Sequence, residues 1–227
     1  MRADFVVGLR FIFGQGVLRS LTLVMTIGMT SGGIIRGVLF TFAYRRLGLS
    51  SSELGFLLAL GGVASLLGAF ACRPLSSRIG PGRVLLWAPV ADGLFWLLAP
   101  LAMVGAALPL LGLAIIGSSL IEPLWNVNSL TIRQQLVPSA LQGRVHAAVR
   151  TVSWLGFPIG GVLGGALAQF LTQFVGPSTA LALTLVTGAV LTLHSFIYIN
   201  AKKINAASQA FSAAYVRESH DFASSRR

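Results

Sequence analysis

The chain has 227 residues, 55% of them hydrophobic and only 10% charged, with a mean hydropathy of +0.80. Soluble domains carry about 25% charged residues, and a water-soluble core has no use for this much apolar surface, so a soluble globular class is excluded. The formal charge of +11 is spread between apolar segments rather than gathered in one patch, and a single cysteine, Cys72, excludes an internal disulfide and a cysteine-cluster metal site.

Residues 1–20 set Phe5, Leu9, Ile12 and Phe13 at helical spacing, with Arg2, Arg10 and Arg19 on other faces. That pattern predicts a helix lying on a membrane surface. Asp4 and Arg10 interrupt any signal-peptide core. A bilayer core takes roughly 20 apolar residues per helix. The stretches that qualify are 21–44, 54–72, 84–104, 108–130, 151–170 and 178–199. They are about twice the length of a barrel strand and lack its alternation, so an all-α membrane fold is predicted. "LGLSSSE" offers serines to cap the second helix, while "RIGPGR" and "GPS" mark turns. The domain reading is a surface or linker helix over 1–20, a transmembrane domain over 21–199, and a polar, loosely ordered tail over 200–227.

Cations in short loops set orientation. Arg2, Arg10, Arg19, Arg73, Arg78, Arg83, Arg133, Arg144, Lys202, Lys203 and Arg217 fall on one side, and only Arg45 and Arg46 on the other. Both termini are therefore expected in the cytoplasm. The same asymmetry accounts for most of the basic excess without a nucleic-acid partner.

The stretch "NSLTIRQQLVPSALQGRVHAAVRT" carries a more specific frame: Arg133-Gln134, Val137-Pro138, Gly143-Arg144-Val145, Ala147 and Arg150. Pro138 ends one helix, and Ser139 with Gln142 has the spacing of a capping box for the next. "RPLSSRIGPGR" contributes Arg78, Gly80 and Arg83, and "GFPIGGVLGG" contributes Pro158, Gly160, Gly161 and Gly164. Together these motifs resemble the C-terminal half of a major facilitator superfamily transporter. They look most like the branch of bacterial enterobactin exporters and macrolide-type drug efflux pumps. Arg73 stands where that family's loop signature has glycine, and Ser77 where it has aspartate. The resemblance covers about residues 1 to 200. It implies six helices in a three-plus-three inverted repeat, half of the family's usual complement, preceded by the surface helix that links the halves.

Charges within apolar spans are costly and face a bundle interior or a wet cavity. At about 100° per residue, Ser119, Glu122, Asn126, Ser129 and Arg133 share one stripe, and Glu122 lies about 16 Å deep from Arg133. One reading makes this stripe the wall of a substrate or proton path; the other makes Glu122 a structural ion-pair partner. Pro123 is a candidate kink. Arg36 lies beside a face of Thr22, Thr26, Thr30, Gly33 and Gly37, either snorkelling outward or reaching the path. In the family the first and fourth helices line the cavity, which would bring Arg36 to Glu122. Asp92 is expected to pair with Arg150, or to take part in proton coupling. Gly156, Gly160 and Gly164, with Gly161 and Gly165, have the spacing of close helix packing, and with Pro158 of a bending element. His146 and His194 have no ligand pattern. The tryptophans 87, 96, 125 and 154 read as interfacial or packing residues.

No nucleotide loop, nucleophile elbow or metal cluster is present in the sequence, so an enzyme is not expected, nor any cofactor or metal. The resemblance implies a half-length, proton-coupled secondary exporter of hydrophobic drugs or siderophore-like molecules in the inner (plasma) membrane. It implies a second six-helix half or a homodimer as partner. The competing reading is a truncated, non-transporting remnant or a membrane accessory protein.

Overall fold

The computed structural model describes residues 2–210. Every predicted span is a helix. α1 (Arg2–Gly14) precedes α2 (Gly16–Thr41), which continues through a π-helical turn, Phe42–Arg46; then come α3 (Ser51–Ile79), α4 (Pro81–Leu101), α5 (Ala107–Leu136), α6 (Gln142–Val175) and α7 (Pro177–His194). No strand occurs among the described residues. Six helices are long and apolar enough to cross a membrane, and none has more than 39% of its most apolar window buried in the bundle.

α3 makes the reason plain. Leu54, Leu57, Gly61, Ala64, Gly68 and Cys72 form one buried stripe. Phe56, Val63, Leu66, Leu67 and Phe70 point outward and exposed. Water would penalise such a surface, whereas lipid tails accept it. The protein is a multi-pass membrane protein.

The helix ends follow local chemistry. Ser50 Oγ accepts from the Glu53 amide at 3.2 Å, the serine cap expected on α3, and a Glu53 carboxylate oxygen also accepts from the Ser50 amide at 2.7 Å, which makes it a full capping box. α3 and α4 are joined by Gly80 alone, at φ +84°, with Pro81 opening α4. α6 and α7 are joined by Gly176 alone, at φ +79°, with Pro177 next. Both glycines lie in the left-handed region that side chains avoid. A capping box at Ser139, predicted from spacing, is not formed. Residues Ser139–Leu141 make a 3₁₀ turn, and Gln142 Nε2 instead donates to the carbonyls of Gln134 (3.2 Å) and Val137 (3.3 Å). The orphan carbonyls ending α5 lie within its reach and take the amide.

α2 packs on α6 and α7, α5 on α3 and α4, and α4 on α7; α2 and α5 barely touch. The α2–α6 seam is built on glycine. A Cβ at Gly160 would collide with the Thr30 carbonyl, one at Gly33 with that of Phe157, and one at Gly164 with that of Ile34. Backbones approach this closely only without side chains between them. Gly165 faces open space and is no part of the seam. Gly61 and Gly68 of α3 play the same part against Ser119 and the Leu120 carbonyl of α5.

The two ends of the chain depart from expectation. α2 begins at Gly16, five residues before the predicted span, because only Gln15 breaks the helix, at φ −113° and ψ 117°. α1 lies on α6, with Ile12 fully buried and Phe13 turned out. The segment 201–210, predicted as loose tail, is helical. Its Ile204 is buried with Leu21, Leu85 and Ile132, and Asn205 Oδ1 accepts from the Gly82 amide at 2.8 Å. The remainder of the predicted tail, 211–227 with Arg217, lies outside the described residues.

Candidate functional site

Because α2 and α5 barely touch, the space between them is open, with α4 as its floor. The cavity there measures about 130 Å³. α2 turns Met25, Gly28, Gly32 and Arg36 to it, and α4 adds Pro89, Asp92 and Trp96 at helical spacing. From α5 come Ser118, Glu122, Trp125 and Asn126, while Phe157 and Thr192 close its ends.

Three charged groups meet in this space. Arg36 Nη2 stands 4.0 Å from Glu122 Oε2, the outer limit of an ion pair, and the two side chains are 55% and 53% exposed. The Arg36 guanidinium also lies 5.8 Å from the centroid of the Phe157 ring. Asp92 Oδ1 accepts from Ser118 Oγ at 2.5 Å. One carboxylate, Glu122, pairs loosely with the guanidinium, and the second, Asp92, lines the same cavity held by a hydroxyl. Such an arrangement can take up a proton, a cation or a polar ligand group without dismantling the helix packing.

Of the residues predicted for the path, Glu122, Arg36 and Asn126 are brought together. Ser119 is not. It faces α3, where its hydroxyl lies 2.9 Å from the position of a Cβ on Gly61, and Ser118 takes its place in the cavity. The expected pair of Asp92 with Arg150 is not formed. α4 packs on α5 and α7, whereas Arg150 sits in the third turn of α6 with its guanidinium 5.1 Å from the Trp154 ring centroid. Asp92 thus joins the cavity through a neighbour, Ser118, that sequence reasoning passed over. The signal was present, since Ser118 lies one turn from Glu122.

Further down α5, Ser129 and Arg133 are buried and line no part of this cavity. Asn128, unflagged in the sequence, ties α5 to α3. It accepts from Ser76 Oγ at 2.7 Å and donates to the Leu124 carbonyl at 2.7 Å and to Cys72 Sγ at 3.2 Å. Around the α3–α4 joint, Arg73 and Arg78 at the end of α3 and Arg83 at the start of α4 are exposed. Ser77 Oγ donates to the Pro74 carbonyl at 3.0 Å, within its own helix. Pro158 is exposed on the side of α6 away from the seam, and Gly161 lies 3.0 Å from the position of a Cβ on Gly37. Among the described residues no three His, Cys, Asp or Glu side chains gather into a metal-binding group. No family model and no curated protein matches the chain.

Proposed function

We propose that the protein is one six-helix half of a secondary transporter, working by proton-coupled efflux of hydrophobic drugs or siderophore-like molecules across the bacterial inner (plasma) membrane, with both termini cytoplasmic. The observation that carries this is the half-exposed Arg36–Glu122 pair, set in the middle of lipid-length helices and beside Asp92. Facing lipid, a carboxylate and a guanidinium at that depth would each cost several kcal/mol. Facing water and substrate between two bundles, they cost little. The α2–α5 face therefore works against a second six-helix bundle or a second copy of this one.

The helix packing supports the half-transporter reading. Exchanging α2, α3 and α4 for α5, α6 and α7 leaves the pattern of packed pairs unchanged. The joints Gly80–Pro81 and Gly176–Pro177 take equivalent places in the two triplets. A three-plus-three repeat has this signature. In operation, a proton on Glu122 would release Arg36 toward Asp92, and the difference in pairing would favour one access state over the other.

Vesicles carrying the protein and its partner bundle test the reading. An imposed proton gradient is expected to drive efflux of a fluorescent hydrophobic probe, and Glu122→Gln to abolish the dependence on the gradient. Efflux indifferent to both would refute coupling, and no efflux beyond that of empty vesicles would refute transport.

A further inference from the structure

The cavity between α2 and α5 is stopped at one end by an apolar cluster. Leu21 and Val24 of α2, Leu85 of α4 and Ile132 of α5 meet there with Ile199 and Ile204. Val24 also lines the cavity, and Trp125, another lining residue, packs against the cluster. Val17 packs there too, so this is the end at which the chain enters and leaves the bundle. No membrane-crossing helix carries Ile199 or Ile204, which follow the last span, Pro177–Tyr198.

The helix over 201–210 is a unit of its own. Ile199 is extended, at φ −96° and ψ 119°, and Asn200 Oδ1 accepts from the Lys203 amide at 3.1 Å, capping a fresh helix. Ile204 is its one buried residue, at 1% exposure, while Lys202, Lys203, Ala206, Gln209 and Ala210 are exposed. The start of α4 is shaped to seat it. Asn205 Oδ1 accepts at 2.8 Å from the Gly82 amide, a first-turn donor with no acceptor inside α4. A Cβ on Gly82 would stand 2.5 Å from the Ala201 carbonyl oxygen and 2.7 Å from Asn205 Oδ1, and one on Gly80 3.1 Å from that same atom. Glycine at both positions lets the helix come in. The seat is nonetheless slight, since α3 by comparison buries six residues. An element with one buried residue lies at the low end of local stability and opens without the bundle unfolding.

We infer that the helix over 201–210 is a latch: seated on α4 by Ile204 and Asn205, it shuts this end of the cavity, and lifting it opens a way in from the side of the chain ends. The closure is a property of the bundle itself. Its consequence, control over what enters the cavity, rests on the transport reading above.

Reporter thiols test the latch without any transport assay, in the full-length protein in detergent and a Cys72→Ala background. Leu85→Cys places a thiol in the plug, and Leu111→Cys places one in the core cluster of Phe42 and Leu54; both positions are 0% exposed. Ile204→Ser is expected to speed the reaction of Leu85→Cys with a water-soluble maleimide at least about tenfold, leaving Leu111→Cys unchanged, because a buried thiol reacts only through an opening. Gly82→Ala pushes on the latch from the α4 side, should act in the same way, and carries the test if Ile204→Ser does not fold. Gly62→Ala, which meets nothing within 4 Å, should alter neither rate. Unchanged labelling of Leu85→Cys in both latch variants overturns the inference. Faster labelling of both reporters in both variants overturns it too, by making the helix a fixed part of the core. A plug that opens as expected in a protein showing no efflux from vesicles would sink the transport reading and leave the latch standing.

Discussion

α2 shows two different ways of using one helix. Toward α6 it offers Gly33 and the backbone around Thr30 and Ile34, and the two helices close until carbonyls meet glycines. Toward α5 it offers Met25, Gly28, Gly32 and Arg36 to open space. The first face is closely packed and specific; the second is apolar apart from Arg36, loosely paired and partly exposed. Lipid gives no hydrophobic reward for bringing helices together, so stability has to come from close backbone approach. The difference teaches that the small residues of the seam hold the bundle while the charged face is left free to rearrange.

The sharpest way to break this division is to add a side chain to the seam. Gly160→Leu would drive carbon into the Thr30 carbonyl, and overpacking of this severity is expected to cost about 3 kcal/mol or more. Gly165→Leu, one turn and a residue along the same helix, meets nothing within 4 Å and is expected to change stability by less than about 0.5 kcal/mol. Thermal unfolding in detergent measures both. Equal behaviour of the two variants would mean that α2 and α6 are not in backbone contact.

The open face is tested by chemistry rather than stability. In a Cys72→Ala background, Ser118→Cys should react with a water-soluble maleimide on the order of ten times faster than Ser119→Cys, since thiol reactivity follows access to water. Ser118 lines the cavity, while Ser119 is held against Gly61 of α3. The reverse order would restore the stripe predicted from sequence.

That stripe marks where the sequence stops being legible. Helix number, the serine cap of α3 and the α6 glycine register depend on neighbours within a few residues, and local pattern reveals them. Whether residue 118 or 119 turns to the cavity depends on a rotation that only packing fixes, and Gly61, far away in sequence, fixes it. The partner of Asp92 escaped for the same reason. Arg150 looked suitable by charge, but α4 meets α5 rather than the start of α6, and Ser118 supplied the hydrogen bond. The helix at 201–210 was hidden by composition, because Ala and Ser around Ile204 and Asn205 look like tail until Leu85 and the Gly82 amide are seen beside them.

The border between the two faces gives the smallest effect. Ser31 Oγ and Thr192 Oγ1 are 2.6 Å apart, joining α2 to α7, and Thr192 also lines the cavity. Each hydroxyl also has a carbonyl of its own helix in reach, Gly28 for Ser31 at 3.0 Å and Gly188 for Thr192 at 3.2 Å. Removing one partner therefore leaves the other bonded rather than stranded. A double-mutant cycle of Ser31→Ala and Thr192→Val in detergent unfolding should return a coupling of about 0.6 kcal/mol, the usual worth of a hydroxyl bond between membrane helices. A coupling above about 2 kcal/mol would exceed what such bonds supply. It would make the α2–α7 contact part of the rigid seam, and the freedom assigned to the cavity face would have to be confined to Arg36 and its turn of helix.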